Sequence, residues 1–338
     1  MTLTERTRKL NTYIAPSGNE RGMLEYVKSE IENFTDETYF DAMGNLITVM
    51  GKGKGEKVMF SSHSDTIGFI SYFIDDKGFI RVNNLGGLNL RTITGRKVCF
   101  VNGVQGVLFY ETDNNEQVIK NYFVDIGTSS KVESEKLVPI GTAGSIVSDV
   151  YLIGLPENQR IVSAFLDDRI AVAIQMELME RIYNEKIELK NEFYMVFSVQ
   201  EEVGIRGAKT AAYSIDPIYA IALDVTSVSD IPKSGNLSMK LDGGACIKLM
   251  DSSVYCHKNI VEFLRTTAEE NNIKYQYEIL TAGGTDAGAI HVSRQGVYTG
   301  AISIPTRYIH SPVETASLND CKNIVELLIE TVRRGYIL

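Results

Sequence analysis

Three textures of apolar and polar residues follow one another along this 338-residue chain, and the changes between them mark its organisation. Up to about residue 66 the pattern predicts helix, helix, hairpin and buried strand. Ser17-Gly18-Asn19-Glu20 has capping-box spacing, and Met23, Val27 and Ile31 then recur at helical intervals. Short apolar runs at 46–50 and 58–62, parted by Gly51-Lys52-Gly53-Lys54-Gly55, predict neighbouring strands. From about Gly68 to Gly154, glycine recurs between short β-branched and aromatic runs, such as 98–101, and no helical period persists. That texture predicts a small barrel or sandwich. After Arg160, helices at 168–182, 205–213, 259–271 and 318–334, with a helical turn after Thr285, alternate with strands at 192–199, 219–224, 245–250, 275–280 and 297–304. Such alternation is the mark of an α/β fold. The opening strands are expected to join the later sheet. The fold class is thus α/β: a mixed-sheet α/β/α domain made of residues 1–66 and 161–338, around an inserted small all-β barrel domain over 67–160.

Composition narrows the class of partner. With 44% apolar and 23% charged residues the chain reads as an ordinary globular protein. Its formal net charge of -9 argues against nucleic acid and against anionic membranes, both of which the average field repels. The first residues lack the apolar run of a signal peptide, and nothing downstream approaches the ~20 apolar residues of a membrane span, so a cytoplasmic location is expected. Cys99, Cys246, Cys256 and Cys321 are widely spaced without a C-x-x-C pair, and are expected to be reduced and buried.

Charge at the ends of apolar runs changes the picture most. Glu201 and Glu202 close the run 193–199, and neighbouring strand-end acids point different ways, so one can hold a metal while the other faces a water. Taken alone the pair reads equally well as a solvated loop. His63-Ser64-Asp65 follows the run 58–62, where His63 looks like a ligand and Asp65 could fix its ring; a hydrogen-bonded surface pair is the plainer alternative. Asp167-Asp168-Arg169 opens a helix, where capping alone favours acids. On the functional reading Asp167 bridges two metal ions while Asp168 and Arg169 hold the turn. Asp224 ends the run 219–223, where an unpaired carboxylate is costly, and His310 follows the strand at 297–304. All five strand-end groups, His63, Glu201, Glu202, Asp224 and His310, fall where open α/β sheets bind ligands. Histidines mixed with carboxylates suit two divalent ions, zinc or cobalt foremost and manganese next. His257 and His291 read as structural or surface residues, and Asp286, in a glycine-rich segment, as a candidate pocket residue.

These residues resemble those of the dinuclear metallo-aminopeptidases of the tetrahedral, or TET, type. The resemblance rests on Pro16-Ser17-Gly18 with Glu20, Asp41 with Gly44-Asn45-Leu46, His63-Ser64-Asp65 with Ile67-Gly68, and Asp167-Asp168-Arg169. It continues through 199–204, Asp224-Val225-Thr226, Gly283-Gly284-Thr285-Asp286-Ala287 and 304–312, nearly the whole chain. It implies that Asp167 bridges the metals, that His63 and Asp224 complete one site and Glu202 and His310 the other, with Glu201 as general base and Asp65 beside it in the catalytic set. It implies peptide substrates, an inserted β domain that mediates dimerisation, and a homo-oligomer of dimers assembled into a tetrahedral dodecamer. Thr66, where the family commonly has glutamate, and Thr142, where aspartate is expected, depart from the pattern without removing a ligand or the base. Competing readings are a glycan or N-acyl hydrolase, of which the ligand-like histidines disfavour the glycosidase chemistry, and a catalytically idle metal-binding assembly protein, which the retained Glu201 disfavours.

Overall fold

The structure, a computed structural model, describes residues 1–111 and 118–336. β1 (Glu37–Phe40), β2 (Leu46–Met50) and β3 (Lys57–His63) open a large sheet. β4 (Gly68–Ile74), β5 (Ile80–Leu85), β6 (Arg96–Phe100), β7 (Gln105–Tyr110), β8 (Tyr122–Asp125) and β9 (Ala143–Ile146) close into a barrel in the order β4-β5-β8-β7-β6-β9. The chain then returns to the large sheet with β10 (Tyr151–Ile153), β11 (Arg160–Ser163), β12 (Glu192–Ser198), β13 (Tyr219–Ser227), β14 (Ala245–Met250), β15 (Tyr275–Ile279), β16 (Tyr298–Arg307) and β17 (Glu314–Ser317). Its main path runs β1-β2-β12-β3-β13-β16-β17-β11-β10, with β14 joined to β16 and β15. The α/β class, the mixed sheet and the barrel all agree with the pattern of the sequence.

Four strands at the centre, β12, β3, β13 and β16, run parallel, so their carboxyl ends share one edge. They are buried on both faces, and the pleat divides their side chains. Val58 and Phe60 of β3 join a core under the helices Leu166–Asn184 and Leu318–Arg334, whereas Met59 packs on the other face with Ala208, Ala211 and Ile215 of the helix Arg206–Ile215. Two-sided burial is why these strands read as unbroken apolar runs rather than as alternation.

Several local expectations change. β2 and β3 are not neighbours: β12 lies between them, antiparallel to β2 and parallel to β3, because a parallel partner buries β3 on its inner side. β10, within the segment expected to form the insert, pairs instead with β11 in the large sheet. Ser17 and Glu20 form no capping box; the helix Arg21–Ile31 has no side-chain cap at its start, and both side chains are drawn toward the strand-end acids, Ser17 to Asp65 and Glu20 to the Gln200 N–H. β13 continues past Asp224 to Ser227. Cys246, Cys256 and Cys321 are free and buried, but Cys99, on the barrel, is partly exposed. Among the described residues no helix is long and apolar enough to cross a membrane.

The carboxyl end of β12 is pinned by Asn45, whose Oδ1 accepts from the Val199 N–H (3.0 Å) and whose Nδ2 donates to the Gly207 carbonyl (3.0 Å). A Cβ on Gly207 would collide with Asn45 Oδ1 and the Val199 backbone. Gly207→Ala is therefore expected to lower the unfolding free energy by roughly 1–3 kcal/mol, as overpacking does. Denaturant unfolding reads this as a lower midpoint, and an unchanged midpoint would contradict so close an approach.

Candidate metal centre

Register brings the first ligands together. Ser62 of β3 lies opposite Leu223 of β13, and Ser198 of β12 opposite His63, so His63 and Asp224 emerge level at one edge. His63 Nε2 is 2.9 Å from Asp167 Oδ1 and 3.8 Å from Asp224 Oδ1. The other oxygen of Asp167, Oδ2, is 3.3 Å from His310 Nε2, and that nitrogen is 3.4 Å from Glu202 Oε2. The other four sequence-predicted ligands, His63, Glu202, Asp224 and His310, thus gather around Asp167. Donor atoms around a tetrahedral ion with ~2.0 Å bonds stand about 3.3 Å apart, so these separations fit a shared cation on each side of Asp167. Among the described residues, two groups of three donors lie close enough together to share an ion, His63 with Asp167 and Glu202, and His63 with Asp168 and Asp224; His310 belongs to neither. The inclusion of Asp168 goes beyond its expected turn-holding role.

Electrostatics support the same reading. Glu202 Oε1 and Asp168 Oδ1 are buried without a hydrogen-bond partner. Burial raises Glu202, with the Asp167 carboxylate adding to it, and burial raises Asp224 well above the ordinary carboxylate range despite His63. Burial would also raise Asp167, but hydrogen bonds from His310 and His63 outweigh it and hold Asp167 far below that range. Burial opposes the His310 imidazolium, yet Asp167 and Glu202 prevail and push it up to about 12. Buried acids this close to one another call for added positive charge, which divalent cations supply.

The surroundings hold the donors still. Asp65 is fully buried, and its carboxylate accepts from Ser17 Oγ (2.6 Å) and from the N–H groups of Glu201 (2.9 Å) and Glu202 (3.2 Å). Asp65 holds the His63 ring chiefly through its backbone, with the carboxylate in ion-pair range. The shorter contact to His63 Nδ1 comes from the Asp65 backbone carbonyl, at 3.1 Å against 3.6 Å for the carboxylate, because the carboxylate is already taken by the acid-pair loop. Glu20 accepts from the Gly18 and Gln200 N–H groups, tying the 16–20 segment to the same loop. Asp286 does not line the cavity. Its Oδ2 accepts from Ser61 Oγ (2.5 Å) and Ser198 Oγ (2.6 Å) beneath the strand ends. Thr66 is buried with its hydroxyl on the Ala15 carbonyl, and Thr142 donates to the Pro139 carbonyl, both away from the ligands.

Sequence reasoning missed Glu314 of β17. Its Oε2 accepts from the Asp167 N–H (2.9 Å) and its Oε1 from the His310 N–H (2.8 Å), so one buried carboxylate clamps the backbones of two candidate ligands. No strand-end signal marks it, since it opens a short strand. Gly87, just past β5, was also missed: a Cβ there would lie 2.8 Å from His310 Nδ1, so the barrel loop can close on the site only with glycine. A cavity of about 590 Å³ opens from the ligands, lined also by Glu201, Gly87 and Lys248. Burial, with Asp224, Asp286 and Glu202 close by, holds Glu201 well above the usual carboxylate range, partly offset by His63. His257 caps the helix Lys258–Glu270 through Nδ1, and His291 contacts the Ala287 carbonyl, in a separate smaller cavity.

The chain is similar to known proteins over nearly its whole length. The family model described as M42 glutamyl aminopeptidase matches residues 44–327. The chain is 44% identical to a putative aminopeptidase of Acetivibrio thermocellus, over 96% of this chain and 97% of that protein. Its fold is similar to that of a TET aminopeptidase from a marine sediment Thaumarchaeota archaeon, at 31% identity and TM-score 0.93, covering 98% of this chain and 97% of that one. It is also similar to the Pyrococcus horikoshii TET1 peptidase, which can assemble into a tetrahedron or a large octahedral shell, at 30% identity and TM-score 0.86, covering 98% and 99%.

Glu314→Gln keeps the size of the clamp but turns an amide N–H₂ toward one of the two N–H donors. Divalent-metal affinity, read by titration against a chelator, is expected to fall about 10–100-fold, the range for partners that orient ligands. Unchanged affinity would contradict the clamp.

Proposed function

Because the chain belongs to the M42 family of glutamyl aminopeptidases, we propose that it removes N-terminal residues from peptides with two divalent metal ions, Glu201 serving as general base. The carrying observation is that the two oxygens of Asp167 face different histidines, Oδ1 toward His63 and Oδ2 toward His310. On this reading His63 and Asp224 complete one metal site, Glu202 and His310 the other, and Asp167 bridges them. The mixed nitrogen and oxygen donors suit zinc or cobalt, with manganese also accommodated.

When bound, the ions supply polarisation of the scissile carbonyl and a lowered pKa for the attacking water. The chain's own groups do the rest. Glu201, which lines the cavity beside the ligands, takes the proton of the water and delivers it to the leaving amine. Asp65 acts by positioning: it receives the Glu201 and Glu202 N–H groups and so fixes base and ligand in one register.

The assembly is proposed to be a homo-oligomer built from dimers in which the 67–160 segment is the contact unit, a dodecamer being the form the resemblance implies. Support comes from the TET1 peptidase of P. horikoshii and from apolar side chains left exposed on the barrel, including Phe73, Val107, Phe109, Val132 and Ile140. The edge strand β10 likewise exposes Tyr151, Leu152 and Ile153, an unprotected row that pairing would cover.

Two variants separate base from bridge. Glu201→Gln is expected to keep its metal while losing roughly two to four orders of magnitude in peptidase turnover, the usual share of general acid–base catalysis; undiminished turnover would refute the assignment. Asp167→Ala is expected to lose metal itself. Plasma emission on the purified variant decides this, and full retention of the wild-type content would contradict a bridging ligand.

A further inference from the structure

We propose that the pocket beyond the metal ligands selects an uncharged aliphatic N-terminal residue over a glutamyl or a lysyl one. This selection rests on the aminopeptidase reading and concerns the side chain that enters the cavity. Ile205, Val225, Leu237, Leu280 and Ile309 give the lining its apolar part, and outside the metal centre its polar side chains, Lys248 apart, are the neutral hydroxyls of Thr226, Ser227, Thr281 and Thr285. Among the described residues a single lysine, Lys248 of β14, lines the cavity, and no arginine does.

Lys248 would be the natural partner for a glutamyl side chain, but its charge is already committed. Its register partner on β15 is Glu278, and the ammonium contacts that carboxylate directly. Asp251 Oδ2 stands 3.1 Å from the same nitrogen. All three side chains are 0–1% exposed. Glu278 is further fixed by the Thr226 hydroxyl at 2.8 Å, and Asp251 Oδ1 by the Ser253 and Val254 N–H groups. Burial disfavours the ammonium, yet Glu278 and Asp251 outweigh it and keep Lys248 protonated. A substrate carboxylate would thus be the third negative group on one buried cation, and would leave water for a site whose net charge already has its own sign.

A lysyl side chain fares no better. The carboxylates that line the cavity are Asp167, Glu201, Glu202 and Asp224, all within the metal centre, while Glu278 and Asp251 do not line it. An ammonium in the pocket would therefore leave water with no accessible counter-ion, since Glu278 and Asp251 are buried on Lys248. An aliphatic side chain has no such penalty and gains contact with the apolar wall.

The test is kcat/KM of the metal-loaded, full-length protein on leucyl, methionyl, glutamyl and lysyl p-nitroanilides. Leucyl or methionyl is expected to exceed both charged substrates by roughly tenfold or more. A glutamyl or lysyl value equal to or above the leucyl one overturns the selection while leaving the aminopeptidase reading intact. Cleavage of none of the four with metal bound overturns both. Glu278→Gln, which releases part of the charge of Lys248, is expected to raise the glutamyl-to-leucyl ratio several-fold over wild type, and a ratio that does not move would contradict the neutralisation of Lys248. If that variant does not fold, the wild-type ratio decides.

Discussion

The structure turns on a concentration of buried carboxylates at one strand edge. Asp167, Asp168, Glu202, Asp224 and Glu314 are drawn to one strand edge, where the ion-pair contacts of Asp167 are with two histidine rings. Two of these carboxylates, Asp168 and Glu202, keep an oxygen buried without a partner. Such crowding fits a site that an external cation completes, with donors held so firmly that they cannot turn outward to water.

That rigidity comes from the sheet and from what is packed on it. Parallel pairing of β12, β3 and β13 sets His63, Asp224 and the acid pair at one level. Glu314, on an antiparallel neighbour, then ties the Asp167 and His310 backbones together. The barrel takes part as well. Ala164 and Phe165, which lead into Asp167, pack in the barrel's apolar cluster, and Gly87 of the barrel brings its backbone against His310. The insert and the metal centre are therefore packed against one another.

Much of this was legible in the sequence, for a physical reason. A charged residue that closes a long apolar run has to be satisfied by something, so His63, Glu201, Glu202 and Asp224 stand out from the order of residues alone. The α/β alternation and the glycine-rich barrel texture were equally visible, because helical period and turn chemistry are local. Glu314 was not, since its role depends on two backbone N–H groups 147 and 4 residues away. The Lys248–Glu278 pair was hidden likewise, created only by the register of β14 on β15. Ser17 and Glu20 show the converse error: a local capping signal lost to the stronger demand of a buried carboxylate and a loop N–H. Strand order failed for the same reason, β12 intruding between β2 and β3 from a distant part of the chain.

The central claim is that Asp167 stands between two divalent ions. Anomalous diffraction from crystals of the full-length protein soaked in zinc tests it most directly. Two peaks per chain are expected, one beside His63 and Asp224 and one beside Glu202 and His310, with an oxygen of Asp167 bound to each. A single peak, or two peaks that leave Asp167 unbound, would contradict it.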